Sequence, residues 1–400
     1  MFIKSIKIDD FLSFGNIDIE LNPLNILIGV NGSGKSNFID TIFFLRTLPM
    51  DARMGIAKLG SIDTITRHKV PAANNTSSDK FSLEVNLDYP KYSTPLKYEI
   101  SIRKTGERGE YEIFEESLSG YYKEEEPEPF YYFKVKEWDK FISYYDTESQ
   151  KSRIRELKYD ELDSSQSILS KIRGEGEYPI ITWLSKKLLN IKIYNNWTFG
   201  RNAAFKIMGC KTDEDNTNLY EDFSNLPLVL NHLQVKGEIK KFEKYLNEFY
   251  PWFGRISVSI DSGLAKIVFW DKGFNVPIPA SKLSDGTIRF ISLLTILLNP
   301  NLPSLICIEE PELGIHPDAI SIIAELLKDA SRKTQLIITT HSDYLVDQFT
   351  DIPESVLIFD RDKNAGTTIK RLNKEELSLW LEDYKLGQAW LSGAFGGTRW

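Results

Sequence analysis

The sequence predicts an α/β fold in which both ends of the chain build one core and the middle is inserted into it. Two observations predict it. Near the N-terminus a short apolar run, Asn25–Ile28, leads into a glycine-rich loop and then a helical pattern, Asn37–Leu45, stopped near Pro49. After Pro277, apolar runs of strand length return at Leu305–Ile308, Gln335–Thr340 and Ser355–Asp360, separated by helical patterns. Continuous apolar runs suit the strands of a parallel sheet, whose two faces are both covered.

The elements follow in order. Residues 2–8 and 16–21 alternate and read as an antiparallel pair. Residues 50–80 read as polar and irregular, with Asn74–Asp79 as a loop. Phe81–Leu87, Tyr98–Arg103 and Tyr111–Phe114 alternate again, which predicts a β meander. Tyr121–Phe133 mixes aromatics with Glu124, Glu125, Glu126 and Glu128, as a solvated hairpin tip or a docking surface would. Residues 135–250 read as mainly helical, with apolar spacing of helical period at Ser167–Ile172, Ile180–Leu189 and Leu226–Phe249. No heptad repeat is sustained. Two strands follow at 255–260 and 265–270, with Gly263 at the turn. Phe290–Leu298 is an apolar helix, and His316-Pro317-Asp318 opens another that runs to about Arg332. The expected organisation is an N-terminal lobe (1–130), a mainly helical insertion with a hairpin (131–276) and a C-terminal lobe (277–400).

Composition narrows the class. The 400 residues are 42% hydrophobic and 26% charged, with a net charge of -8, ordinary for a globular chain with a sizeable core. An overall basic nucleic-acid coat is excluded; a local basic groove is not. Cys210 and Cys307 stand far apart and the four histidines lack zinc spacing, so a reducing, cytoplasmic setting is expected, without a disulfide or metal motif. The alternating N-terminus does not read as a signal peptide, and no apolar run reaches ~20 residues.

The glycine loop carries the strongest signal. Gly29-Val30-Asn31-Gly32-Ser33-Gly34-Lys35-Ser36 fits G-x-x-x-x-G-K-[ST] between a strand and a helix. There, backbone N–H groups and a helix N-terminus meet an anion. Lys35 would reach the β- and γ-phosphates of a nucleotide and Ser36 would hold Mg²⁺. Four further features lie downstream. Leu283-Ser284-Asp285-Gly286-Thr287 precedes a helix and offers N–H groups and a hydroxyl to an anion. Glu309-Glu310-Pro311 ends an apolar strand, where carboxylates handle a metal ion and an attacking water. Glu312–Pro317 forms a tight turn, and His341 ends another strand after Thr339-Thr340. Each alone is weak; their order relative to the β/α elements points to one composite site.

These residues resemble the ATP-binding-cassette (ABC) type of ATPase, in the branch with SMC, RecF and OLD-like proteins. Gly29 to Asn37, with Asn31, Gly32, Ser33, Gly34, Lys35, Ser36 and Asn37 around the phosphates, is the form of the loop seen there. Glu309 to Pro317 resembles the compact, OLD-like AAA-family members, many encoded in bacterial defence loci. The resemblance covers 1–48 and 277–360 specifically and 50–276 only loosely; residues 386–400 also look like the tail of such ATPases. It implies an ABC-ATPase head with an antiparallel β lobe and a helical insertion. It further implies ATP and Mg²⁺ as ligands, and two copies sandwiching two ATP molecules. One copy would offer Lys35 and Ser36; the other would offer Ser284 and Gly286. By the same resemblance Glu310 would orient or deprotonate the water, His341 would sense or stabilise the γ-phosphate, and Glu309 would help to hold Mg²⁺ in place of the usual Asp. Two positions depart from the pattern. Leu12 stands where many relatives carry a basic residue, and the glutamine that joins the two lobes has no clear counterpart, Gln166 being the candidate.

SMC-type arms and an OLD-type nuclease domain are both missing from the pattern. The expected function is therefore a homodimeric or higher-order ATPase that controls a DNA-related process or a separately encoded effector, a nuclease or toxin, in antiphage defence or DNA repair. A transporter's nucleotide-binding subunit and a slowly hydrolysing sensor scaffold are the alternatives. The long insertion and Asn37 argue against the first. DNA is a candidate partner through Lys151–Lys158, Lys186-Lys187 and Lys236–Lys244, all placed in the helical insertion. Trp390, Phe395, Arg399 and Trp400 form either an exposed docking tail or one that packs back.

Overall fold

The computed structural model describes residues 2–67, 79–106, 109–121, 127–136, 138–146, 149–158, 163–197, 199, 206, 208–362 and 366–397. Most of the expected loop at 74–79, the acidic tip at Glu124–Glu126 and the terminal Arg399 and Trp400 lie outside them. In chain order the N-terminal strands are β1 (Ile3–Phe11), β2 (Phe14–Glu20), β3 (Leu24–Ile28), β4 (Lys80–Leu87), β5 (Leu96–Lys104), β6 (Tyr111–Gly120), β7 (Phe130–Lys136), β8 (Asp139–Asp146) and β9 (Lys151–Glu156). The rest are β10 (Ile191–Tyr194), β11 (Cys210–Lys211), β12 (Phe253–Asp261), β13 (Leu264–Asp271), β14 (Ile278–Pro279), β15 (Leu305–Glu309), β16 (Gln335–Thr339), β17 (Val356–Asp362) and β18 (Gly366–Arg371).

Fourteen of these strands form one sheet, in the order β10-β15-β16-β3-β17-β18-β2-β1-β4-β5-β6-β7-β8-β9. The first five pair in parallel. From β17–β18 onward every pairing is antiparallel. The two ends of the chain thus meet inside the parallel half, as the sequence predicts. Its strands bury both faces alternately. Leu27, Cys307, Ile337 and Leu357 belong to one core, and Ile26, Ile28, Ile306, Ile308 and Ile338 to the other. The first core contains residues of helices Lys35–Thr47 and Pro179–Leu189. The second contains residues of helices Asp285–Leu297 and Ile320–Ser331 and of the pair Leu226–Val235 and Ile239–Phe249.

The structure corrects three readings. Residues 135–250 are not mainly helical: the meander continues through β7, β8 and β9, and β10 forms the edge of the parallel sheet. β9 escapes the pattern because five of its six residues are exposed, so its apolar content never alternates. β10 has only four residues directly after a helix. The cluster Lys151–Lys158 therefore begins on a strand at the sheet edge, not on a helix. Residues 50–67 are not irregular either. Asp51 caps helix Ala52–Leu59 through Arg53 N, and Ser61 and Thr64 form a capping box on Ile62–Ile65.

The described part of the tail, residues 386–397, packs back. Asp347 Oδ1 accepts from Gly387 N at 2.7 Å and Gln388 N at 3.2 Å, which seats helix Leu386–Leu391 beside helix Asp343–Asp347. Trp390 is 5% exposed and donates to Gly397 O. Among the described residues no helix is long and apolar enough to cross a membrane.

Candidate nucleotide site

Three neighbouring parallel strands bring the site together. β15, β16 and β3 lie side by side in parallel register, so their C-terminal ends open on one edge of the sheet. Glu309 and Glu310 end the first, Thr340 and His341 follow the second, and the glycine loop follows the third. Residues more than 270 positions apart in sequence are thereby collected, at the place where open α/β sheets receive ligands.

The loop has a phosphate cradle's shape. Gly34 precedes helix Lys35–Thr47 at φ 110°, a conformation that side chains resist. A Cβ at Gly34 would overlap Thr367 Oγ1, and one at Gly29 would overlap the Phe359 carbonyl oxygen. Behind the loop, Thr367 Oγ1 hydrogen-bonds Ser13 Oγ at 2.7 Å and donates to Ser33 O at 2.8 Å. Ser33 Oγ is buried without a partner. Lys35 Nζ donates to the loop carbonyls of Gly29 (2.7 Å) and Val30 (3.1 Å). Asn31, Gly32 and Ser36 are exposed at the mouth and Asn37 is half-buried.

The charges facing the loop are perturbed. Burial lowers Lys35 to about 8, against the pull of Glu310 and Glu309. Burial pushes Glu309 up to about 7; Asp40 and Glu310 add to the rise and Lys35 opposes it. Burial, then Lys35, lowers His341, with Glu310 opposing. His341 Nε2 stands 3.8 Å from Glu310 Oε1. Glu310 itself has φ 47°, a left-handed backbone at a non-glycine residue, while its N–H donates to Thr339 O at 2.9 Å. That kink turns the carboxylate out of the line of β15 toward His341.

Ser284 and Gly286 do not join this cluster. Ser284 is exposed and caps helix Asp285–Leu297, accepting from Thr287 N at 3.1 Å. Gly286 packs on the turn after Glu310: a Cβ there would lie 2.5 Å from Gly314 O. Gln166 lies elsewhere, lining a cavity of about 300 Å³ with Arg103, Glu116 and Ile168 in the antiparallel lobe. Leu12 is half-buried, packs on the core and offers no polar group.

Sequence reading missed several residues. Asp40 follows Ser36 by four positions, a same-face helical spacing that could have flagged it. Glu312 lies within the quoted string; its Oε1 accepts from Thr340 Oγ1 at 2.6 Å and His341 N at 3.3 Å. Arg289 is buried one turn into its helix, and its Nη1 donates to Leu313 O. Burial lowers its pKa to about 10, against Glu312 and Glu310. Trp197 covers the guanidinium, 4.5 Å from ring centroid to Cζ, and donates Nε1 to Glu309 O at 2.7 Å. Lys206, also buried, pairs with Asp285. Trp197 and Lys206 come from the insertion and carry no local signal.

Residues 24–347 match the family described as "AAA domain, putative AbiEii toxin, Type IV TA system". The chain belongs to this AAA family. It is an SMC/RecF-like, ABC-type AAA ATPase chain by fold and sequence similarity. It is similar to the DNA replication and repair protein RecF of Streptococcus uberis, 44% identical over 46 residues, covering 11% of this chain and 13% of that protein. RecF of Clostridium acetobutylicum is 29% identical over 110 residues, covering 27% and 26%. The matched stretches therefore span about a quarter or less of those relatives' length. Among solved structures, an Smc head bound to the C-winged helix domain of ScpA is similar at TM-score 0.57 and 13% identity, over 94% of this chain and 99% of that one. A Pyrococcus furiosus Smc head bound to the C-terminal domain of ScpA gives TM-score 0.52 at 13% identity, over 96% and 99%. At that identity the likeness shows the fold. The AAA-family chain keeps the head without an identified lobe-joining glutamine, Gln166 being remote from the loop.

Proposed function

We propose that this chain binds and hydrolyses ATP, that two copies close over two ATP molecules, and that closure controls a DNA-related process or a separately encoded effector, a nuclease or a toxin. The observation that carries the reading is the convergence of Lys35, Glu309, Glu310 and His341 at three adjacent parallel strand ends. The residues fit the ligands. Ser33 Oγ is a buried polar atom awaiting a partner, and glycines stand where side chains would fill the cradle. Glu309, raised to about 7 beside two other carboxylates, is a group that a cation would stabilise in its charged form.

In this reading Lys35 would leave the loop carbonyls for the phosphates, and Ser36 and Glu309 would hold Mg²⁺. The ion, when bound, offsets phosphate charge. Glu310, aimed toward His341, orients the attacking water and accepts its proton. His341, whose basicity burial and Lys35 lower, can donate a hydrogen bond toward the phosphate. Ser284, exposed as the cap of helix Asp285–Leu297, and the half-buried Gly286 in that helix's first turn would face the loop of a second copy. The RecF relatives' names support a DNA-related role, and the ScpA complexes of the Smc heads support a protein partner on the head. The family's description as a putative toxin of a type IV TA system supports a place in a two-component system. The three-domain division at 130/131 and 276/277 remains part of this proposal, although β7 runs across the first boundary.

Glu310→Gln tests it. With ATP and Mg²⁺ the variant is expected to accumulate as a dimer or larger assembly by mass photometry, with bound ATP unhydrolysed. If it neither retains ATP nor changes its mass, the sandwich reading is wrong.

A further inference from the structure

We infer that Arg289 is a positioning residue, which with Glu312 ties the Ser284–Gly286 turn to Glu310 and His341 within one chain. The inference rests on the sandwich reading, in which that turn receives a phosphate from the second copy.

The starting point is an unpaired donor set. Arg289 is 5% exposed. Its Nη1 reaches Leu313 O, but Nε and Nη2 are buried with no partner. A guanidinium carries five N–H donors and cannot shed its charge, so leaving two nitrogens unpaired in the interior is costly. An apolar side chain under Trp197 would avoid that cost. The same turn holds the complementary defect. Glu312 Oε1 is engaged by Thr340 and His341, whereas Oε2 is buried without a partner.

Position gives the pair its use. Gly286 lies against Gly314 O, and Leu313 O receives Arg289, so helix Asp285–Leu297, which Ser284 caps, touches the Glu310–Gly314 turn at two places. Trp197 joins the guanidinium to Glu309 O. Glu312 grips the backbone N–H of His341, whose ring faces Glu310 at 3.8 Å. A shift of helix Asp285–Leu297 that joined the free N–H groups of Arg289 to Oε2 of Glu312 would draw the His341 backbone with it, since Glu312 already holds that N–H. The chain's own hydrolytic pair then responds to the occupancy of the other site. Satisfying both defects at once favours that second state.

The test uses the full chain with Arg289→Met, Arg289→Lys, Glu312→Gln and the Arg289→Met/Glu312→Gln double variant. Readouts are steady-state ATPase, ATP-dependent association by mass photometry and the thermal midpoint. Each of Arg289→Met and Glu312→Gln is expected to lower kcat about tenfold or more with KM within about twofold. The double variant should fall no further than the worse single one, and Arg289→Lys should recover part of the loss. Association with ATP should persist in all. Wild-type kcat in either single variant, a double variant equal to the product of the two losses, or no recovery by lysine overturns the inference. Glu312→Gln keeps the shape of the turn and carries the test even where Arg289→Met does not fold. Absence of ATP-dependent association, in the wild type and in Glu310→Gln alike, overturns the sandwich reading and this inference with it. Association with independent losses overturns this inference alone.

Discussion

Glu116 should make the chain's stability fall as pH rises through the mildly acidic range. The residue is 2% exposed on β6. Its Oε1 accepts from Tyr98 Oη at 2.8 Å and Ser167 Oγ at 2.6 Å, and its Oε2 from Ile168 N at 2.9 Å. Those donors favour the charged form, yet burial outweighs them and pushes the carboxyl from 4.5 to about 7. At about 1.4 kcal/mol per pKa unit, the rise corresponds to about 3 kcal/mol. The sign follows from proton binding. The folded state holds this proton more tightly than the unfolded state, so the contribution is fully present below pH 4.5 and is lost as pH rises through about 7. Glu116→Gln removes the titration. Its amide oxygen can still accept from Ile168 N, and its NH₂ can donate to the two hydroxyls once they rotate. Urea unfolding of both proteins across that window is the assay. The variant's stability relative to wild type should rise by about 3 kcal/mol between acid and alkaline ends. A difference that stays flat to within about 0.5 kcal/mol would refute the reasoning, because it would mean that Glu116 is solvated or charged throughout.

Two other substitutions test the architecture around the site. Gly29→Ala forces a Cβ into the Phe359 carbonyl oxygen at φ 146°; it should cost about 2 kcal/mol or more and weaken binding of a fluorescent ATP analogue. Unchanged affinity and stability would mean that the loop is not held against β17 as described. Trp390→Ala should cost about 3–5 kcal/mol in urea unfolding, since the ring is buried in the core shared with β3 and β15. A loss under about 1 kcal/mol would favour the docking-tail alternative.

Much of this molecule is legible in the sequence, for reasons that are local. The runs at Leu305, Gln335 and Val356 can be read because a parallel strand covered on both faces needs only apolar residues. The loop can be read because its glycines answer to steric demands that no other residue meets, as the overlaps at Gly29 and Gly34 show. What stays hidden depends on neighbours distant in sequence. β9 is stabilised by pairing with β8 and exposes most of its side chains, so nothing in Lys151–Glu156 alternates. β10 is a strand because β15 lies beside it. Trp197 and Arg289 read as an aromatic and a cation in unrelated segments until folding stacks one on the other. The candidate site divides the same way: the loop residues and the strand-end carboxylates announce themselves, whereas the residues that hold them do not.

The position of β3 between β16 and β17 has a further consequence, for synthesis. The nucleotide loop is encoded at residue 29, yet the strand that anchors it has no hydrogen-bonding neighbour until residues beyond 335 and 356 are made. Contacts of such long sequence separation form late. A nascent or truncated chain ending before β16 would carry the whole loop sequence without either strand that frames β3. If the loop takes a nucleotide as proposed, a fragment that stops before β16 is expected not to bind it.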